Sequence, residues 1–434
     1  MTSAPERGSQ ALRASSANSA SAWRAAPAPH MQRRTLLKSL AAASACAALP
    51  GLGRAAGRQA LRIGVLLPRS GYLRAAGDAC FQGAELARQL LPHLGYAPFE
   101  LVAGDTGEDA GSAVRAAREL LQQGVQLLVG CFDSSQTVEV AKLAEAQPLP
   151  LLINIAAAPS ITQQGYRFVF RNFPDAQRIV TDSYRLQKEL FRLTGFTPRA
   201  LALLYIENGR GIELIHDLFA PMAMPYELAV SLPYDPRAQD LSKQVAQAAA
   251  SGADALWLVS RMGDAIRITR ELIRQDWSPG LLMSSNANFH DAAYREALGV
   301  NADYAVTFTP GYDPRLPLSR RVRELQAALH PAQALETEQI YTFEAVRIAA
   351  DAYRRARSSA PEALAAALRT TSIAESLSGA PLRFDAQGQN SALGLDAIQN
   401  LHGVGQVVLP ARAAQARPVL PMPAWHTRAS ASAA

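Results

Sequence analysis

From residue 61 onward the chain repeats one pattern: a short apolar run, a turn, then a longer stretch with helical spacing. That alternation leaves few folds open. Residues 61–67 (LRIGVLL) read as a strand, ended by Pro68 and a Ser70-Gly71 turn. Residues 78–91 then carry Phe81, Ala84, Leu86, Ala87 and Leu90 at helical spacing. Strands are expected at 100–103, 125–129 and 149–155, with helices at 110–123 and 137–146 between them. A second series follows. It has helices at 176–194, 211–219, 241–251 and 264–275, and strands at 200–205, 226–231, 253–259 and 281–284. Strands separated by helices of roughly 10–15 residues build parallel sheets from βαβ units. Runs that are apolar throughout, such as LALLY at 201–205, suit strands covered on both faces. The two series predict two α/β lobes, about 60–172 and 173–306, rather than one large sheet.

The rest of the chain departs from the alternation. A strand at 304–309 leads through Gly311-Tyr312-Asp313-Pro314 to helices near 317–329, 338–357 and 361–368. Segments 381–384, 397–401 and 404–409 read as antiparallel strands with tight turns. Residues 411–434 are rich in Ala, Arg, Pro and Ser and are expected to form a disordered tail.

Charge is concentrated at the front. The net charge is +6, but residues 1–56 hold seven basic residues and one acid, and the body from Gly57 onward is formally neutral. A neutral body has no global field to gather polyanions, so nucleic acid is not an expected partner. Residues 1–30 are rich in Ala, Ser and Pro and read as a disordered leader, or as sequence upstream of a true start at Met31. Arg33-Arg34-Thr35-Leu36-Leu37-Lys38 then precedes an apolar run from Ser39 to Leu49, a Pro50-Gly51 break, and small residues at Gly53 and Ala55. This is the layout of a twin-arginine signal peptide over about 31–55. Its core is far shorter than the ~20 residues that span a bilayer. A lipoprotein reading through Cys46 is weaker, because Ala43-Ser44-Ala45 is a poor lipid-attachment context. The chain is therefore expected in the periplasm.

The order of these motifs resembles type I periplasmic solute-binding proteins, in particular the branched-chain amino-acid receptor group. The likeness covers about 60–410. It rests on landmarks in sequence: Pro68-Arg69-Ser70-Gly71 with Gly77 and Gly83-Ala84, Asp105, Ala113-Val114, and Gly130 before Ser134-Ser135-Gln136-Thr137. Pro159-Ser160-Ile161-Thr162 leads to Gly165-Tyr166-Arg167-Phe168-Val169-Phe170-Arg171, and Gly252-Ala253-Asp254-Ala255 opens a later strand. The resemblance implies two Rossmann-like lobes with parallel sheets, joined by three crossovers near 171–174, 307–310 and 373–378. Lobe one would comprise 57–172 and 308–375, and lobe two 173–307 and 376–410. It also implies a monomer that closes on a small solute and passes it to the membrane permease of an ABC transporter. No cofactor or metal is implied.

The resemblance also carries a set of site residues. Ser134 and Ser135 follow a strand and precede a helix. There, unpaired N–H groups and a partial positive charge suit a ligand carboxylate; either serine could instead only cap the helix. Ala156 and Ala157 match a second ligand loop, where the family's usual threonine is replaced by Ala157. A first-loop aromatic is replaced by Ala76, and Tyr72 stands near enough to compensate. Arg210 and Arg261 take loop positions in lobe two, where a guanidinium could grip a second anionic group bidentately or simply be solvated. Asn286 falls where amino-acid receptors carry an acid for the ligand ammonium. Asn cannot neutralise a buried cation. The expected ligand therefore has a carboxylate and lacks a free α-ammonium, as aromatic or dicarboxylic acids do.

The family's lobe-one disulfide positions align with Gly107 and Asp133. Cys80 and Cys131 could pair in an oxidising compartment or stay as small buried residues. The histidines are scattered without metal spacing, and no nucleophile–base motif or phosphate loop follows a strand. Two alternatives remain beside transport: a periplasmic sensor of the same fold, and, with less support, an α/β enzyme.

Overall fold

The computed structural model describes residues 60–207, 225–285, 289–331 and 333–428. Two sheets organise them. The first contains β1 (Leu61–Leu67), β2 (Phe99–Asp105), β3 (Leu127–Gly130), β4 (Leu151–Ile153) and β5 (Val169–Arg171), in the order β2-β1-β3-β4-β5. Every pairing in it is parallel. Helices α1 (Arg74–Leu90), α2 (Ala110–Gln122) and α3 (Ser134–Ala146) connect these strands. Strands β1, β3 and β4 are almost wholly buried, as expected of parallel strands with helices on both faces.

The second sheet begins after α4 (Ala176–Thr194). It contains β6 (Ala200–Ile206), β7 (Glu227–Tyr234), β8 (Ala255–Val259), β9 (Leu281–Ser284), β10 (Val306–Thr309), β11 (Asp396–Leu401) and β12 (Val404–Leu409). Their order is β12-β11-β10-β9-β8-β6-β7. The five strands from β6 to β10 pair in parallel, and β11 and β12 add an antiparallel edge. Helices α5 (Ser242–Ala250), α6 (Met262–Arg274) and α7 (Ala292–Leu298) lie between these strands. Trp257 on β8 is fully buried, with the rings of Tyr184 and Phe308 centred 5.7 and 6.4 Å away.

After β10 the chain returns to the first sheet. Helices α8 (Pro317–Leu329), α9 (Thr337–Ala356) and α10 (Pro361–Arg369) follow. Helix α9 runs along α1 and against β1, β3 and β4. Close approach requires a glycine there: a Cβ on Gly83 of α1 would collide with the carbonyl oxygen of Gln339. The chain thus makes two α/β lobes and crosses between them three times, after β5, after β10, and between α10 and β11.

Two expectations are corrected. Segment 381–384 is not a strand but contributes a single antiparallel bridge, Ile373–Leu382. Residues 411–428 are not a free tail. Leu420, Met422 and Trp425 are buried, the Met422 N–H donates to Gly280 O at 2.8 Å, and the Trp425 indole N–H donates to Trp277 O at 2.8 Å. Arg428 is fully buried, lies 3.7 Å from the centroid of the Trp425 ring, and donates to the carbonyls of Asn301 and Asp303. Residues 1–59, which include the expected leader and signal at 1–56, and the expected helix at 211–219 lie outside the described residues.

The first and third crossovers meet at Arg171, which has no exposed surface. Its Nε donates to Gln389 Oε1 at 2.6 Å, one Nη donates to Ala156 O and Ala158 O at 3.3 and 2.7 Å, and the other donates to Thr162 Oγ1 at 3.0 Å. Asp175 stands 3.7 Å away. Burial pulls the guanidinium down to about 10, with Asp175 and Asp385 opposing, so it stays charged at neutral pH. Replacing Arg171 by Met leaves several buried acceptors unpaired. It is expected to lower the unfolding free energy by about 3–5 kcal/mol in urea titrations, and a loss under about 1 kcal/mol would refute this role.

The second crossover carries a titratable group. Asp396 opens β11 opposite Thr309, and a side chain at Gly311 would strike its carboxylate. Burial pushes its carboxyl up to about 6 from 3.8, Asp313 adds to the rise, and Arg412 opposes it. A folded-state pKa above the unfolded one means that the folded state binds the proton more tightly. The associated stability is present below about pH 4 and is lost as pH rises through about 6. Asp396→Asn is expected to stabilise the protein over the wild type at pH 8 by roughly 1–3 kcal/mol, with the difference vanishing at pH 4 in unfolding titrations.

Candidate functional site

The carboxyl ends of strands from both sheets open onto one cavity, with a volume of about 80 Å³. In open parallel sheets this is where ligands are taken. The first sheet contributes Phe132 and Ser134 after β3, and Ile155, Ala156 and Ala157 after β4. The second contributes Arg261 after β8, Ser285 after β9 and Thr309 at the end of β10. Phe173, Ile179, Thr337 and Glu338 complete the lining.

Local structure explains how each side chain arrives there. Gly130 and Cys131 both have positive φ, 130° and 62°, and turn the chain sharply out of β3. A Cβ on Gly130 would strike Leu66 O. Asp133 then caps α3: its carboxylate accepts from Ser135 N at 2.9 Å, from Gln136 N at 3.3 Å and from the Ser135 hydroxyl. The helix therefore begins at Ser134, three residues earlier than the spacing predicts. Ser134 accepts the Ala158 N–H on its Oγ at 3.2 Å, which joins the two lobe-one loops and leaves the hydroxyl proton free to donate. The Ala156–Ala158 loop is held from below by Arg171, and Ala157 O accepts the Ala176 N–H at 2.7 Å.

Arg261 is the N-cap of α6, and its backbone N–H donates to Asp264 at 3.1 Å. Asp264 also accepts from the Tyr234 hydroxyl at 2.6 Å. From that anchor the guanidinium crosses to lobe one. It lies 3.8 Å from Asp133 Oδ2 and 5.2 Å from the Phe132 ring centroid. Its buried Nε has no partner among the described residues. The Ser285 hydroxyl accepts from the Trp257 indole at 3.3 Å.

The sequence-predicted residues separate into three groups. Ser134, Ala156, Ala157 and Arg261 meet in the cavity. Ser135 and Tyr72 do not line it. Ser135 is exposed and turned toward Asp133, because Asp133 outcompetes it for the cap. Tyr72 is 45% exposed at the mouth, where the Arg237 guanidinium lies 5.4 Å from its ring centroid. Arg210 and Asn286 lie outside the described residues. Cys80 and Cys131 are both buried and free, so no bridge links them. Burial pushes both thiols up, that of Cys131 to about 12, so neither is a reactive thiolate.

Sequence reasoning missed Glu338. An acid in the first turn of a helix reads as a complement to the helix dipole, which hides any other role. Here the half-buried Glu338 lines the cavity. Burial pushes its carboxyl up while Arg261 holds it down. The neighbouring Glu336 is pushed up to about 7 by burial, with Glu338 and Glu296 adding to the rise. Asp291, Glu336 and Glu338 bring carboxylate oxygens within 4.8 Å of one another. These are hard oxygen donors of the kind calcium and magnesium take, and they form the one such group among the described residues.

The two lobes touch at the cleft rim through charges. Besides Asp133–Arg261, Arg237 of lobe two lies 3.7 Å from Glu108 of lobe one, and Glu108 also accepts the Tyr72 N–H at 3.2 Å. Exposed pairs of this kind contribute about 0–1 kcal/mol each. Arg237→Ala is accordingly expected to change global stability by less than about 1 kcal/mol while increasing the radius of gyration of the ligand-free protein in solution scattering. An unchanged radius would show that this contact does not hold the lobes together.

A family model described as periplasmic binding protein matches residues 60–393. The Leu/Ile/Val-binding protein homolog 8 of Brucella suis is 22% identical over 403 residues, 88% of this chain and 98% of that protein. Homolog 7 of Brucella melitensis is 26% identical over 285 residues, 63% of this chain and 70% of that one. Among solved structures, a branched-chain amino-acid transporter substrate-binding protein from Streptococcus pneumoniae in complex with isoleucine superposes with a TM-score of 0.69 at 16% identity. That superposition covers 84% of this chain and all of the other. An R. palustris solute-binding protein in complex with benzoate also gives 0.69, at 18% identity, over 83% and 99% of the two chains.

Proposed function

This chain belongs to the periplasmic binding protein family, and from that premise we propose that it is the substrate-binding component of an ABC importer, capturing a small carboxylate-bearing solute between its lobes. The observation that carries this reading is the convergence of Ser134, the Ala156–Ala157 loop and Arg261 on one cavity at the carboxyl ends of both sheets. Capture is a hinge event. Ser134 and the alanine loop wait on lobe one, and Arg261 arrives with lobe two. The Ser134 hydroxyl and the Arg261 guanidinium are the donors that face a ligand carboxylate. Amino acid-like, aromatic and dicarboxylic acids all present such a group. The solute is then handed to a membrane permease. No helix of the described residues is long and apolar enough to cross a membrane itself.

Export under the Arg33-Arg34 signal places this capture in the periplasm, in keeping with the family. The family is one of substrate-binding proteins, and binding without turnover is the activity proposed for this chain.

The experiment is a thermal-shift and calorimetric screen of the mature chain against small carboxylates, with isoleucine and benzoate among them. At least one acid is expected to raise the melting temperature, and Arg261→Ala is expected to weaken its binding at least about tenfold, the loss of one charge-assisted hydrogen bond. Ligand binding that is unaffected by both Arg261→Ala and Ser134→Ala would place the site elsewhere.

A further inference from the structure

The second crossover is gripped from both lobes at one residue. Gly311 follows β10, and its carbonyl oxygen accepts the Tyr341 hydroxyl of α9 at 3.1 Å. On its other side, the Asp396 carboxylate of β11 fills the place where a side chain at Gly311 would lie. Helix α9 belongs to lobe one and β11 to lobe two. Two residues on, the Asp313 N–H donates to Leu377 O at 2.8 Å, which ties this crossover to the third. Thr309, opposite Asp396 in the β10–β11 pairing, lines the cavity. A rotation of one lobe against the other has to change the packing of Asp396 on Gly311, because the two are anchored on different lobes.

Asp396 is poorly placed to hold a charge in that packing. It is half-buried, and among the described residues no hydrogen bond is donated to its carboxylate. The charged and titratable groups around it come from four elements. Asp313, on the crossover itself, is held ionised by Arg315, which donates to both of its carboxylate oxygens at 2.8 Å, and it repels a second negative charge. Arg412, beyond β12, is the one facing cation among the described residues, and it is exposed. Tyr341 of α9 is kept neutral by burial, with its hydroxyl engaged on Gly311. On α4, which also touches β11, Asp182 is paired with Arg178 at 2.8 Å. The neutral carboxyl therefore suits this packing and the carboxylate does not. The same conformation holds the lobes together at the rim, through Arg237 with Glu108, and across the cavity, through Arg261 with Asp133.

We infer that Asp396 is a proton-operated switch in the hinge. Protonated, it packs against Gly311 and favours the arrangement in which the lobes touch. Ionised, it turns toward water and Arg412, the contact at the crossover loosens, and the lobes separate. The sign follows from linkage. The arrangement that binds the proton more tightly keeps its full advantage below about pH 4 and loses it as pH rises through about 6. The switch acts on the lobes with or without a solute. Under the capture proposed above, it strengthens retention in a mildly acidic compartment and eases release at higher pH.

The test is solution scattering on the mature, ligand-free chain from about pH 5 to about pH 8 at constant ionic strength, on the wild type, Asp396→Asn, Arg412→Ala and Glu336→Gln. The wild-type radius of gyration is expected to rise with pH, with a midpoint at about 6. One pK unit of difference between the two arrangements shifts their equilibrium about tenfold across that range. Asp396→Asn is expected to stay compact at every pH. Arg412→Ala is an exposed change that spares the fold, and losing the facing cation is expected to move the midpoint to higher pH. Glu336→Gln removes the other carboxyl raised toward neutrality, at about 7, and is expected to keep the wild-type transition. A wild-type radius that is constant over the range overturns the inference, and that result needs no variant to fold. So does a transition that persists in Asp396→Asn, one that disappears in Glu336→Gln, or a midpoint that does not rise in Arg412→Ala. None of these outcomes involves a solute, so the binding reading stands or falls separately in its own screen.

Discussion

A guanidinium with no exposed surface is costly to bury, and the geometry around Arg171 shows what makes it tolerable. Its donors are spent on two carbonyls of the Ala156–Ala158 loop, on Thr162 and on Gln389. Gln389 in turn donates to Phe173 O at 2.6 Å, and Asn390 donates to Asn172 at 2.9 Å. The same cation therefore fixes a cavity loop and clamps two of the three strands that connect the lobes. Because guanidinium donors form a rigid fork, the loop and the crossovers keep one relative geometry. Any solute that presses on Ala156 or Ala157 presses on the hinge through a single side chain.

The cavity itself is built on the opposite principle, with charges left incompletely matched. Asp133 does work that the sequence assigned to serines: it caps α3 and takes up the N–H groups at its start. This replaces a positive helix end by a neutralised one. Among the described residues Arg261 is the only cation on the cavity lining; its backbone is anchored on lobe two through Asp264, and its guanidinium reaches Asp133 on lobe one. The charged groups at the cavity are therefore Arg261 and Glu338 on its lining, with Asp133 3.8 Å from the guanidinium, rather than a free helix terminus.

How much of this could be read in advance follows from the range of the forces involved. The two parallel sheets were legible because runs such as LRIGVLL and LALLY have to be buried on both faces wherever they lie. Their boundaries were less so. The start of α3 depended on three adjacent cap formers, Asp133, Ser134 and Ser135, and sequence spacing does not say which one the backbone N–H groups choose. The lobe-one end of the cavity was legible at Ser134, Ala156 and Ala157, since those residues follow strand ends directly. Glu338 was not, because its place in the cavity depends on α9 packing along α1 across more than two hundred residues, with Gly83 against Gln339. The ordered segment 411–428 was illegible for the same reason. Arg428 and Trp425 stabilise one another only when Trp277, Asn301 and Asp303 are already in place.

These features bear on how closure is driven. The contacts at the rim, Arg237 with Glu108 and Tyr72, are solvated and individually worth about 1 kcal/mol or less. Under the hinge capture proposed above, two such contacts would tilt an equilibrium between open and closed lobes without deciding it, since reversing a population from 1:99 to 99:1 takes about 5.5 kcal/mol. The deciding energy has to come from groups that are satisfied only when the lobes meet around a solute. Arg261 is such a group, because its guanidinium reaches lobe one only across the cavity. Under the capture proposed above, a solute that engages Arg261 on one lobe and Ser134 on the other binds the closed form more tightly than the open one, and that difference in affinity is the whole of what a ligand can contribute to a conformational change.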